Sequence, residues 1–167
     1  MIHTKEALLY PKELVTLAPF TRAITEKMVT WFMDPEIMQW MYPGSGDTTA
    51  EDIQGWVDRI LGDPKKHFFV IESDAEPIGI ISVKQFAGMP TVGEIGIAIG
   101  EKQFQEKGIG KKSVAKMLEF AKNDLKMTDL IAVINPNNIR SIKLFSGAGF
   151  QKTDVVIEGM HTYLKTL

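Results

Sequence analysis

Gln105, Gly108 and Gly110 stand within "FQEKGIGKKS" (residues 104–113), and Lys111 and Lys112 follow the second glycine directly. Such a loop opening a helix makes an anion site. The first-turn N–H groups have no internal acceptors and together carry about half a positive charge. Glycines let those amides approach a phosphate where a Cβ would obstruct, and the lysines add charge at the mouth. Two familiar phosphate loops are excluded. A P-loop needs glycine at 105 and Ser or Thr at 112, where Gln105 and Lys112 stand. A dinucleotide fingerprint needs glycine at 113, which is Ser113, and an acid closing the next parallel strand.

The elements that must hold this loop follow from periodicity. Residues 13–20 form an opening strand, and Thr25 is placed to cap a helix whose Met28, Trp31 and Phe32 share a face. Residues 34–47 make a helical turn that breaks into a Pro-Gly loop. Thr48 and Glu51 have capping-box spacing for a helix through Ile53, Trp56, Val57 and Ile60. Strands at 67–73 and 76–86 form a hairpin turning at Ser73–Ala75, and "TVGEIGIAIG" (91–100) runs straight into the glycine loop. A helix over 111–126, a short apolar strand at 129–134, an Asn-capped helix over 137–149 and a closing hairpin complete the chain. The order β-α-α-β-β-β-α-β-α-β-β predicts an α/β or α+β domain around a mostly antiparallel sheet. No repeat, linker or low-complexity tract divides it, so residues 1–167 are expected to form one domain.

Composition narrows the function classes. A net charge of −2 gives no basic face for nucleic acid and fits a cationic small molecule slightly better. The absence of cysteine excludes disulfides, thiolate catalysis and cysteine-based zinc sites. His3, His67 and His161 lack metal-ligand spacing, so no metal is expected. No apolar run approaches the length of a membrane span, and nothing at the N-terminus resembles a signal peptide. A cytoplasmic protein, monomeric or homodimeric, is the expectation, with neither nucleic acid nor membrane as partner.

The spacing Q-x-x-G-x-G, carried by Gln105, Gly108 and Gly110, resembles the pyrophosphate loop of the GCN5-related N-acetyltransferases (GNAT family). Downstream, "NNIRSIKLFSGAGF" is similar to the family's second signature through Asn138, Leu144, Phe145, Gly149 and Phe150. The likeness is good over residues 91–151, and the strand before the loop most resembles the ribosomal-protein-alanine and small-amine branch. It implies the GNAT fold, a central sheet splayed between strands four and five, and acetyl-CoA as the acetyl donor without a metal.

On this resemblance the coenzyme pyrophosphate would sit on residues 105–111 (Gln105, Glu106, Lys107, Gly108, Ile109, Gly110, Lys111). Ala98, Ile99 and Gly100 would meet the pantetheine arm, and one backbone N–H there would serve the thioester oxygen. Asn138, Ser141 and Phe145 would approach its far end, with Asn138 equally able to act as a plain helix cap. Glu94 is the candidate base, because an ammonium must lose a proton before it can attack. Alternation puts Glu94, Gly96 and Ala98 on one face, where the two small residues leave room for a substrate. The family's usual tyrosine acid is replaced by Phe145, which cannot donate; water, Ser146 or Tyr163 could substitute. Trp31, Tyr42 and Tyr163 are the substrate-wall candidates, with Trp40, Trp56, Phe86 and His161 as further aromatics. The acceptor is a primary amine: a protein N-terminus, polyamine, aminoglycoside or amino sugar. "NPNNIRSI" faintly resembles aminoglycoside 6′-N-acetyltransferases. A catalytically weak or silent acyl-CoA-binding module is the alternative that Phe145 keeps open.

Overall fold

The computed structural model describes residues 14–41 and 48–167. Seven strands form one sheet: β1 (Val15–Pro19), β2 (Lys66–Ser73), β3 (Glu76–Phe86), β4 (Met89–Ile99), β5 (Asp129–Ile134), β6 (Gln151–Ile157) and β7 (Met160–Thr166). They lie in the order β1-β2-β3-β4-β5-β7-β6, and all neighbours are antiparallel except β4 and β5. This is the expected mixed, mostly antiparallel sheet. The β2–β3 turn is a two-residue hairpin in which Asp74 and Ala75 both have positive φ, the backbone that matches strand twist.

Helices cover both faces. On one lie α1 (Thr25–Phe32), the short α2 (Pro35–Met38) and α3 (Ala50–Leu61); on the other lie α4 (Ile109–Asn123) and α5 (Ile139–Gly147). Two apolar cores result. Met28, Trp31, Phe32 and Val57 pack with Phe68, Val70 and Ile80 beneath α1 to α3. Val114, Met117, Ala121 and Phe145 pack with Ile81, Val83, Ile95 and Leu130 beneath α4 and α5. Alternation along β4 sends Ile95, Ile97 and Ile99 to the second core and turns Ala98 to the first.

Helix starts differ from expectation by small amounts, each with a physical reason. Thr25 is not a cap, because α1 is entered from a 3₁₀ turn (Arg22–Ile24) whose cap is Thr21. The capping box of α3 is formed by Thr49 and Asp52 rather than Thr48 and Glu51. Two boxes overlap at the same spacing, and the chosen one exchanges bonds of 2.8 and 3.1 Å between Thr49 and Asp52. Helix α4 begins at Ile109 instead of Lys111, since Gly108 takes the cap position.

Candidate active site

The sheet opens where β4 meets β5. These strands pair only at Val92 with Asp129, Gly93 with Leu130 and Glu94 with Ile131. Past Glu94, β4 keeps its antiparallel partner β3 as far as Ile99 but has none on the other side. The direction of the free backbone groups follows from one bond. Gly100 donates its N–H to the Ile78 carbonyl at 2.8 Å, so β4 residues of the same parity face β3. Ile97 and Ile99 therefore turn their peptide groups into the gap, whereas the Ile95 N–H belongs to the last β4–β5 pair. The three residues expected to meet a pantetheine arm differ in orientation. Ile99 faces the gap, Ala98 directs its peptide toward β3, and Gly100 has its N–H committed to Ile78. Ile97, which the sequence reading passed over, takes the central position.

Opposite the gap, Gly108 caps α4 with φ of 78° and no side-chain cap bond. Most side chains would be strained in that left-handed conformation, while a Cβ at Gly108 would meet nothing within 4 Å. The space in front of the helix start is thus open. Lys112 is the first residue of this turn to donate back, to Gly108 at 3.2 Å. The amides of Ile109, Gly110 and Lys111 precede it and have no intrahelical acceptor. A Cβ at Gly110 would lie in ordinary contact with a Leu144 methyl, at 3.4 Å. Ile109 is buried in the core and anchors the turn, whereas Lys107 and Lys111 are exposed.

Gln105 acts as a tie rather than a free ligand. Its Nε2 donates to the Ile99 carbonyl at 3.1 Å, and its Oε1 accepts from Arg140 on α5. Arg140 also lies 3.8 Å from the Glu106 carboxylate, so it links the glycine loop to the far bank of the gap. The sequence reading missed Arg140, although it stands two residues after Asn138 in the second signature. Asn138 is the α5 cap: its Oδ1 accepts from the Ser141 N–H at 3.2 Å. Asn138, Ser141 and the buried Phe145 all line the cavity described next.

That cavity, about 540 Å³, runs from the glycine loop past the fork to the α1–α3 face. Glu94 lies on its wall at the last paired position, with its side chain 30% exposed and 3.9 Å from Lys84. Gly96 and Ser82 are partners in the β3–β4 register and line the floor, with Phe68 across from Ser82 on β2. Trp40, Met41 and Trp56 form the opposite wall. Two predicted wall residues lie elsewhere. Trp31 is 2% exposed, and its indole N–H donates to Glu101 at 2.8 Å. Its ring covers Gly100, where a Cβ would come within 2.2 Å. Tyr163 is 5% exposed and packed in the α4–α5 core, so it does not line the cavity either. Phe86 and His161 are likewise absent from its lining. Tyr42 lies outside the described residues.

Charges around the cavity are held in pairs. Lys102 bridges Asp34 at 2.9 Å and Glu36 at 2.8 Å. Its hydrogen bonds to Glu36 and Asp34 raise the Lys102 pKa, and that to Lys102 chiefly lowers the Asp34 pKa. Glu101 is lowered first by the Trp31 N–H and also by Lys27, which together outweigh its desolvation. Among the described residues, no group of three or more His, Asp or Glu could hold a metal ion, and no helix is long and apolar enough to cross a membrane.

A split sheet, a glycine-started helix facing the split and a carboxylate at the fork form one arrangement, and a family model for the acetyltransferase (GNAT) domain matches residues 15–151. The chain belongs to the GNAT acetyltransferase family. A crystallised domain from Methanocaldococcus jannaschii superimposes with a TM-score of 0.80 at 27% identity, covering 93% of this chain and 99% of that one. The crystal structure of an aminoglycoside acetyltransferase in complex with coenzyme A shares the fold at TM-score 0.79 and 22% identity, over 92% and 95% of the two chains. An uncharacterised M. jannaschii protein is 50% identical over 60 residues, a stretch that is 36% of this chain and only 12% of that protein.

Proposed function

We propose that the protein is an acetyl-CoA-dependent N-acetyltransferase that moves an acetyl group directly to a primary amine, with residues 1–167 working as one domain. The observation that carries this reading is the fork itself. Unpaired peptide groups of β4, free amides at the start of α4 and the Glu94 carboxylate all open onto one cavity. Peptide groups without partners in a folded protein are costly unless something satisfies them, and an extended pantetheine arm has amides of the matching kind.

The residues present suit the coenzyme. Amides 109–111 and Lys111 would hold the pyrophosphate, and the peptide groups of Ile97 with the Ile99 N–H would align the arm. Bound there, the coenzyme supplies an acetyl thioester at the fork. The gap-facing N–H of Ile97 would polarise the thioester oxygen, an interaction worth about 3–4 kcal/mol in comparable sites. Glu94 accepts the proton that the amine must shed. Phe145 offers no proton to the leaving sulfur. A thiol with a pKa near about 8.5 leaves tolerably at neutral pH without help, and water in the cavity can complete the exchange.

The test is thiol release from acetyl-CoA with a panel of primary amines, followed by mass spectrometry of the product. Acetylated amine in step with free thiol is expected. Phe145 also supports a second reading, an acyl-CoA-binding module without turnover; coenzyme binding with no release for any amine would favour it.

A further inference from the structure

The fold buries the Ser82 hydroxyl and gives it nothing to bond. Ser82 is 5% exposed, and no described residue makes a hydrogen bond to its Oγ. A buried hydroxyl in that state is costly unless something else supplies the bond. Its neighbours on the same sheet face offer little. Ile80 and Lys84 flank it along β3, Phe68 lies across on β2 and Gly96 lies across on β4. Gly96 leaves the space beside the hydroxyl open, because a Cβ there would meet only the Ser82 Oγ within 4 Å, at 3.6 Å. Both residues line the cavity floor, so this open position belongs to the acceptor half. Glu94 stands two residues before Gly96 on the same face of β4, diagonal to Ser82. Diagonal partners of this kind are about 7–8 Å apart. With the longer Glu94 side chain reaching inward, one nitrogen can bond to both at about 2.9 Å each.

Resting on the acetyltransferase reading, we infer that Ser82 is a second anchor for the acceptor nitrogen, which sits over Gly96 between the Ser82 hydroxyl and the Glu94 carboxylate. The ammonium gives one proton to Glu94. The neutral amine keeps two N–H groups and a lone pair. One N–H donates to the Ser82 Oγ and the other to the Glu94 carboxyl, which leaves the lone pair aimed at the thioester carbon. Attack forms the N–C bond, and the C–S bond breaks with its electron pair on sulfur. The second nitrogen proton passes through water to the departing thiolate. A primary amine fills both anchors and still presents its lone pair. A secondary amine has a single N–H once neutral and leaves one anchor empty. Ser82 thus makes the site select primary over secondary amines.

The experiment measures kcat/KM, as thiol release from acetyl-CoA, for 2-phenylethylamine, butylamine and alaninamide and for the N-methyl derivative of each. Ser82→Ala is expected to lower the primary-amine values about 10-fold and to leave the N-methyl values within about 2-fold, so the preference for primary amines shrinks. Coenzyme affinity and melting temperature should stay as in the unmodified protein, since the hydroxyl removed has no partner in the fold. Equal losses for primary and secondary amines, or no loss for either, overturn the inference and leave acetyl transfer standing. Acetyl-CoA binding without thiol release for any of the primary amines would bring down the proposed function and this inference together.

Discussion

The two halves of the cavity are built by different means. The coenzyme half is made largely of backbone: the gap-facing peptides of β4 and the first amides of α4. Its side chains mostly tie, as Gln105 and Arg140 do, or pack, as Ile109 and Phe145 do. The acceptor half is made of side chains from α2, α3, β2, β3 and β4, set on a floor that Gly96 keeps low. A backbone site serves one invariant ligand with few sequence requirements. A side-chain site can change its acceptor by substitution without disturbing the donor. The two halves should therefore fail separately when altered.

Gly108→Val is expected to have the largest effect. A β-branched side chain in the left-handed region costs about 1–2 kcal/mol and moves the amides that face the open space. Calorimetry should find coenzyme affinity lost while circular dichroism shows the fold retained; unchanged affinity would break the assignment of the backbone half. Glu94→Gln should act on the other side of the division. The rate with the best amine should fall about 10²–10⁴-fold at neutral pH, with coenzyme affinity within about 2-fold of the original. Loss of coenzyme binding in this variant would join the two halves that the account keeps apart.

The seam between the halves can be probed through stability. Gly100 lies against the Trp31 ring, so Gly100→Ala overpacks a site with no room. A loss of about 1–3 kcal/mol is expected, or roughly 2–10 °C in thermal unfolding for a chain of this size. The smallest effect concerns Glu101, which fastens α1 to the end of β4. Its pKa is lowered in the folded protein, first by the Trp31 N–H and then by Lys27. Its contribution is thus complete above the unfolded value of about 4.3 and declines as pH falls through the lower folded value. The gap in melting temperature between the unmodified protein and Glu101→Gln should be full at pH 7 and should shrink below about pH 4; a gap that grows with acid would reverse the assignment.

Legibility in the sequence divides along the same line. The glycine loop and the Asn138 helix start are local patterns, and a stretch of some 60 residues carried the family, the fold and the donor. A mostly antiparallel sheet splayed between strands four and five follows from that resemblance, whereas the strand order β1-β2-β3-β4-β5-β7-β6 is set by long-range pairing. Which β4 peptides face the gap was missed, because parity depends on the Gly100 bond to Ile78 across strands. Trp31 and Tyr163 looked like wall residues because aromatic type does not say which face is buried. Glu101 and Gly100 hold Trp31 in the core, and Tyr163 itself belongs to the core beside Ala132 on β5. Lys84 opposite Glu94 could have been found by registering the two strands across their turn. Lys102 with Asp34 and Glu36 could not, since that contact joins segments more than 60 residues apart.

The central claim is that free peptide groups of β4 and α4 receive the coenzyme at the fork. Amide hydrogen exchange of Ile97, Gly110 and Lys111, followed by NMR during titration with coenzyme A, tests it most directly. The account predicts exchange slowed at all three as binding saturates, with the β3-facing amide of Ala98 unchanged. Saturated binding that leaves these three amides exchanging as before would contradict it.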